Sequence, residues 1–179
     1  MKTMFVTGAT KNTGWAIARR FAADGWNVAL SSRDAQSAAE TAAKLKGEFP
    51  SVEALGVKMD PARLDEVRAA FAAIGAKFGR LDAFVNCAAD LGVGLSILST
   101  KLEEYDALMA ANVRGPFFAV QEAVKLMKDG GSVTVISSCH ALRSVRIAPA
   151  RTAFARMPSG PSSTASDRTS PPSAAFDIV

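Results

Sequence analysis

Short apolar runs alternate along the chain with longer segments in which apolar residues recur every three or four positions. The runs are rich in β-branched and aromatic residues, which predicts strands at 4–7, 27–32, 52–59, 81–86 and 132–137. The periodic segments predict helices at 13–24, 34–47, 61–77 and 100–128. Because strands alternate with helices, the pattern favours an α/β fold with a doubly wound parallel sheet that is covered by helices on both faces.

Two of these helices have recognisable start signals. Asp60 before Pro61 is typical of an N-cap followed by proline at the first helical position. Thr100 and Glu103 have the spacing of a capping box, in which each residue satisfies a backbone N–H of the other. We therefore expect one helix to begin at 61 and another at about 100.

The composition changes after Ile147. Residues 148–179 contain five of the eight prolines, with much Ser, Ala and Arg but neither Lys nor Glu. Such a segment buries too little apolar surface to offset its ordering entropy, so we predict a domain at 1–147 and a mostly disordered tail at 148–179. A natural tail or linker is one interpretation. The other is a frameshift near Ile147, since GC-rich DNA read out of frame gives this composition.

Composition and charge exclude several functional classes. No apolar run approaches the roughly 20 residues of a membrane span, and the N-terminus has no secretory signal pattern, which indicates a cytoplasmic protein without a membrane partner. The net charge is +4, but Lys and Arg are scattered, so no nucleic-acid partner is predicted. Cys87 and Cys139 lie in apolar surroundings and are expected to be free thiols, with no metal site.

The stretch FVTGATKNTGWAIARRFAADG joins the first predicted strand to the first helix through Gly8 and Gly14. Glycines at such a turn allow a tight bend and a close approach of the backbone to a pyrophosphate, which the helix N-terminus then binds. The turn is not a P-loop, because no Gly-Lys-Ser/Thr follows it. A dinucleotide site and a purely structural turn both remain open at this point.

The turn resembles the Thr-Gly-x-x-x-Gly-x-Gly motif of the short-chain dehydrogenase/reductase family. The chain has Asn12 in place of the middle glycine, and Asn accepts positive φ better than most residues. The resemblance implies a Rossmann fold whose cofactor contacts come from this turn. The residues concerned are Gly8, Thr10, Lys11, Asn12, Thr13 and Gly14.

Four further motifs follow in the family's order and extend the resemblance over residues 3 to about 142. Asp60 is similar to the aspartate that contacts the adenine, and Asn86 in VNCAA to the first residue of Asn-Asn-Ala-Gly. Asn112 occupies the position of the asparagine that holds a proton-relay water. Ser138 matches the catalytic serine. The resemblance implies a fold that is incomplete at its C-terminal end.

The end of the second strand bears on the choice of cofactor. NAD-specific sites present a carboxylate there, whereas a 2′-phosphate requires cations and no carboxylate. The chain has Ser32 at the acidic position and Arg33 after it, and Lys11 in the turn is near enough to share the phosphate. NADP(H) is therefore favoured over NAD(H). The alternative is that Arg33 is a solvated surface cation at a helix start. Asp34, the next residue, is interpreted as an N-cap only.

The resemblance implies hydride transfer between the nicotinamide and a small-molecule carbonyl or alcohol, with Ser138 bonded to the reacting oxygen. The family's tyrosine general acid and its lysine would fall on Arg151 and Ala155, which cannot replace them. Tyr105 lies in an earlier helix and is interpreted as a packing or surface residue. His140, two residues after Ser138, is interpreted as a loop residue near the mouth of the active site, and a substitute acid is the alternative.

Three hypotheses follow. The first is a NADPH-dependent oxidoreductase by ancestry, inactive in this chain because the tyrosine and lysine are missing. The second is a non-catalytic NADP(H)-binding protein. The third is a product cut short without a stable function. The family forms homo-oligomers, and we expect a chain that lacks the last helices to form them poorly.

Overall fold

The computed structural model describes residues 1–92, 95, 98–138 and 176–178. These residues form one sheet in which every pairing of neighbouring strands is parallel. Its spatial order is β3-β2-β1-β4-β5-β6. The strands are β1 (Thr3–Val6), β2 (Asn27–Ser32), β3 (Ala54–Lys58), β4 (Ala83–Asn86), β5 (Gly131–Val135) and β6 (Phe176–Ile178).

Helices cover both faces of the sheet. They are α1 (Asn12–Ala23), α2 (Ala35–Glu48), α3 (Leu64–Phe78), α4 (Leu102–Met109), a π-helical turn (Ala110–Arg114) and α5 (Gly115–Leu126). One core cluster packs α1 and α2 on the sheet around Val28, Leu30 and Leu45. The other packs α3 and α5 around Phe5, Phe71 and Phe84, whose rings lie 5.2–5.5 Å apart. The predicted doubly wound parallel sheet is confirmed.

The five predicted strands match β1 to β5 within two residues at each end. They were identifiable because strands that are buried on both faces consist of short continuous apolar runs. The sixth strand falls inside the segment predicted to be a mostly disordered tail, where residues 176–178 pair with β5. The rest of that segment lies outside the described residues, so the domain boundary at 147 stays a prediction.

The predicted start of α3 at Pro61 is wrong, because the helix begins at Leu64 with Arg63 as its N-cap. The physical reason is a tight turn before the helix. Asp60 Oδ1 accepts a hydrogen bond from the Ala62 N–H at 2.9 Å, and the Asp60 carbonyl accepts one from the Arg63 N–H at 3.0 Å. The aspartate therefore closes a turn and does not cap the helix.

The predicted single helix at 100–128 is two helices joined by the π-helical turn. Pro116 lies in the first turn of α5, where its missing N–H interrupts the α-helical hydrogen bonds that would otherwise continue from α4. The capping box is also shifted by one residue. The Lys101 N–H donates to Glu104 Oε2 at 2.8 Å, so Glu104 and not Glu103 closes the helix start.

No helix in the described part of the chain is long and apolar enough to cross a membrane. Cys87 is half-buried and packs against the core cluster of α1 and α2, whereas Cys139 lies outside the described residues. Within the described ranges no group of His, Cys, Asp and Glu has the arrangement of a metal site.

Candidate functional site

The strand order places the switch point of the sheet at the carboxyl ends of β1 and β4. β1 pairs with β2 on one side and with β4 on the other, so the chain connections leave these two strand ends in opposite directions. Such a switch point is where open parallel sheets bind ligands. The turn that follows β1 and the residues that follow β4 lie at this edge of the sheet, which we call the crevice because open parallel sheets bind ligands in a crevice there.

Thr7 fixes the floor of the crevice. Its buried hydroxyl donates to Asn86 Oδ1 at 3.2 Å and accepts the N–H groups of Cys87 at 3.0 Å and Ala88 at 2.9 Å. One donor and two acceptor sites are thereby used, which is the full capacity of a hydroxyl group. In the sequence Thr7 is only the first residue of the glycine motif, which does not reveal this function. Its one signal is a threonine directly before the first glycine of the turn.

The turn after β1 depends on residues without side-chain hindrance. Gly8 has φ +64°, and a Cβ there would lie 2.9 Å from Ala88 Cα, so the turn packs directly against the segment that follows β4. A Cβ on Gly14 would lie 2.6 Å from the Gly8 carbonyl oxygen, so α1 starts in direct contact with the turn. Asn12 has φ +52°, which confirms that it takes the left-handed conformation expected where the family motif has glycine.

The N-terminus of α1 points at the same crevice edge with its first N–H groups, which have no partner inside the helix. Lys11 is the N-cap residue but makes no side-chain capping bond, and the first turn carries no acidic side chain. The positive end of the helix dipole is therefore not neutralised by the described residues of this turn. This arrangement suits an anion such as a phosphate.

Ser31 joins the turn to the end of β2. Its Oγ accepts the Gly8 N–H at 3.4 Å, and its carbonyl accepts the Ala9 N–H at 3.2 Å. The chain then continues directly into Ser32 and Arg33, so these two residues lie at the same sheet edge as the turn. Arg33 and Lys11 are exposed, and within the described part of the chain neither cation has an ion pair.

Asp34 is the carboxylate nearest in sequence to this position, and it is engaged as the N-cap of α2. Its Oδ1 accepts the N–H and the hydroxyl of Ser37, both at 2.7 Å. These bonds, the hydroxyl first, hold the pKa of Asp34 below its ordinary value. The interpretation of Asp34 as an N-cap is confirmed.

Asn112 lies in the π-helical turn and binds the loop that follows β4. Its Oδ1 accepts the Asp90 N–H at 2.8 Å, and its Nδ2 donates to the Asp90 carbonyl at 2.7 Å. Asp90 in turn accepts the Gly92 N–H at 2.9 Å. The asparagine side chain therefore fixes the loop that borders the crevice.

Ser138 is half-buried and comes three residues after β5, next to β4 in the sheet. The Ile136 N–H donates to the Asn86 carbonyl at 2.9 Å, so this segment continues along the crevice edge. Tyr105 lies on α4 with 43% of its surface exposed, consistent with a surface residue. His140, Arg151 and Ala155 lie outside the described residues.

The sequence of this chain is similar to those of known oxidoreductases. Residues 8–154 match the family model described as enoyl-(acyl carrier protein) reductase. The chain is 34% identical over 165 residues to a 3beta-hydroxysteroid dehydrogenase of Mediterraneibacter gnavus, covering 89% of this chain and 57% of that protein. It is 31% identical to a 3-oxoacyl-(acyl-carrier-protein) reductase of Staphylococcus aureus, covering 76% and 56%.

A solved structure shows the same likeness. A short-chain dehydrogenase of Burkholderia cenocepacia in complex with NADP superposes with a TM-score of 0.76 at 31% identity, covering 87% of this chain and 62% of that one. The chain thus spans about three fifths of the length of the proteins it resembles.

Proposed function

The chain belongs to the short-chain dehydrogenase/reductase family, and on this premise we propose that it binds NADP(H) in the crevice between β1 and β4. Hydride transfer between that cofactor and a small-molecule carbonyl or alcohol is the activity that the family ancestry supplies. The proposal is supported by a glycine turn that a Cβ would obstruct, a helix N-terminus free of acidic side chains and the relative solved with NADP.

The cofactor contacts are proposed from the turn outward. The N–H groups around Thr10, Asn12 and Thr13 would receive the pyrophosphate, with Gly8 and Gly14 keeping the backbone close to it. Asp60 would contact the adenine, and Asn86 would line the crevice floor beside Thr7. When bound, the nicotinamide supplies or accepts the hydride.

The preference for NADP(H) over NAD(H) depends on the charges at the end of β2. Ser32 stands where a carboxylate would select NAD, and the nearby carboxylate of Asp34 is occupied by Ser37. The exposed cations Lys11 and Arg33 face this edge without a described ion pair. The two exposed cations without a described ion pair are the single observation that supports a preference for NADP(H), because the extra phosphate requires such charge-assisted bonds.

A binding titration tests the preference. We expect the chain to bind NADPH more tightly than NADH, and Arg33→Ala to weaken NADPH binding about tenfold, as for loss of one charge-assisted bond, without changing NADH binding. Arg20→Ala is the matched control, because Arg20 is an exposed arginine at the other end of α1 that pairs with Asp24. Equal affinity for the two nucleotides, unaltered by Arg33→Ala, would contradict the charge argument.

The positions of Ser138 and Asn112 support roles in the family chemistry. Ser138 at the crevice edge is proposed to bond the substrate oxygen. The amide of Asn112 is already bonded to Asp90, so any water in a proton relay would be held by backbone carbonyls of the π-helical turn. Such turns frequently accompany functional sites.

A second candidate function, nucleotide binding without catalysis, is favoured by Arg151 and Ala155 at the tyrosine and lysine positions. Loss of a general acid alone costs on the order of 10²- to 10⁴-fold in rate, so we expect no useful turnover from this chain. A panel of carbonyl substrates with NADPH oxidation followed at saturating cofactor measures it. Robust turnover that His140→Ala abolishes would show that His140 serves as the acid.

A further inference from the structure

Glu66, in the first turn of α3, is bonded to three neighbours at the end of β3. Its Oε2 accepts the Asp60 N–H at 3.0 Å, and its Oε1 pairs with Lys58 Nζ at 2.8 Å and with Arg63 Nε at 3.2 Å. Only 15% of its side chain is exposed. One carboxylate thus connects the strand end, the turn after it and the start of the next helix.

The helix start explains why this carboxylate is needed. Arg63 stands at the N-cap of α3, and it makes no side-chain capping bond. Glu66 is at the third helical position, whose carboxylate in a capping box reaches back to the N-cap N–H. Here it reaches further back, to the N–H of Asp60, and so anchors the whole turn to the helix.

The turn orients Asp60 through its backbone and one carboxylate oxygen. Oδ1 accepts the Ala62 N–H at 2.9 Å, whereas the other oxygen has no hydrogen bond to a described residue. Asp60 is half-buried at the carboxyl edge of the sheet, two strands from the glycine turn. A ligand that reaches this edge would meet the second oxygen in an orientation that the turn has set.

We propose that Glu66 is a positioning residue for the adenine end of the cofactor, which acts by holding Asp60 in place. The inference rests on the proposed nucleotide binding. The hydrogen bond from Lys58 holds the pKa of the Glu66 carboxyl below its ordinary value, so the anchor is charged throughout the neutral range.

The test compares two nucleotides that share the adenine. Glu66→Ala should weaken the binding of NADPH and of NADH by the same factor, roughly threefold to tenfold, because it removes the acceptor of the partly buried Asp60 N–H. Glu66→Gln keeps an acceptor for that N–H and should bind both nucleotides nearly as the parent does. Arg33→Ala provides the contrast, since its effect is confined to NADPH. Reduced nicotinamide mononucleotide, which lacks the adenine, should be unaffected by Glu66→Ala.

Two controls separate positioning from general stability. Glu53→Ala removes a carboxylate that, like Glu66, pairs with two cations, here Lys46 and Lys77, but lies away from the nucleotide edge. The double variant Lys58→Met/Arg63→Met removes both cations and retains the bond to Asp60, so it should keep NADH affinity. If Glu66→Ala does not fold, Glu66→Asp provides the test, because its shorter side chain withdraws the acceptor from the Asp60 N–H and should weaken the binding of both nucleotides.

The outcomes are distinguishable. If the parent chain binds neither nucleotide, the proposed function fails. If the parent chain binds both nucleotides, three results for Glu66→Ala would overturn the positioning role. They are unchanged affinity for both nucleotides, a loss of affinity for NADPH alone, and a loss of affinity no greater than that of Glu53→Ala. A loss of NADH affinity in the double variant would overturn it as well.

Discussion

At the scale of single residues, the nucleotide edge depends on one residue in a left-handed conformation and on two side chains that bond distant parts of the chain. Asn12 has φ +52°, which follows from its place in a glycine motif. Thr7 and Glu66 could not be predicted in the same way. Thr7 acts on Asn86, which is 79 positions away, and Glu66 acts through a turn whose shape the Asp-Pro pattern concealed.

The left-handed conformation of Asn12 gives a prediction about stability. Asn12→Ala should lower the free energy of unfolding by roughly 1 kcal/mol, because a Cβ without a polar group to bond locally is strained at positive φ. Asn12→Gly, which adopts this φ freely, should be tolerated and serves as the control. Urea denaturation measures both. Equal stability of the alanine and glycine variants would show that the turn relaxes to another conformation.

At the scale of elements, the sequence predicted which segments are helices better than where they begin. Asp60 and Glu103 both matched capping patterns, but each pattern was displaced by a neighbouring interaction. The Asp60 side chain accepts the Ala62 N–H in the turn before the helix, and Glu104 accepts the Lys101 N–H in place of Glu103. The π-helical turn could not be predicted either, because the helical spacing of apolar residues in the sequence continues through it without a break.

The contact between α1 and the glycine turn gives a prediction for Gly14. Gly14→Ala should abolish tight nucleotide binding, because its Cβ would lie 2.6 Å from the Gly8 carbonyl oxygen and 2.8 Å from Ala9 Cα. Gly47→Ala in α2 is the matched control, since a Cβ there meets nothing within 4 Å. The control should be neutral or slightly stabilising, because alanine favours helix over glycine. Unchanged NADPH affinity in Gly14→Ala would contradict the packing argument.

At the scale of the whole molecule, the doubly wound parallel sheet could be predicted from the alternation of strands and helices and from the family motifs. The pairing of β6 with β5 did not, since it joins residues more than 40 positions apart through a segment without apolar periodicity. Charge is the other property of the molecule as a whole. Among the described carboxyls, Asp34, Glu53, Asp65 and Glu66 have a lowered pKa.

These shifts determine the direction of the pH dependence. The largest cause is a hydrogen bond from Ser37, Lys46, Arg63 or Lys58 respectively. A folded pKa below the unfolded value contributes stability above the unfolded values of 3.8 for Asp and 4.5 for Glu, and this is lost as pH falls through the lower folded values. Tm should therefore be level at neutral pH and fall at acid pH.

The comparison variant for this measurement is Glu53→Gln, which removes one shifted carboxyl away from the crevice. Its Tm should fall less steeply over the acid range than that of the parent. Two results would show that these hydrogen-bonded carboxyls do not determine the loss of stability at acid pH. One is a parent Tm that rises on acidification, and the other is an identical dependence of Tm on pH in the variant.

The bond from Thr7 to Asn86 also has a consequence for the order in which the protein is assembled. The glycine turn is complete once about 25 residues have been synthesised, but its opposite wall is contributed by residues 86–88. Between them the chain must form β2, α2, β3 and α3. Non-local closure of this kind is slow compared with the formation of a local strand-turn-helix unit. In a nascent chain the glycine motif is therefore present long before the crevice has formed. The stage of synthesis at which the chain first binds nucleotide would mark the pairing of β4 with β1.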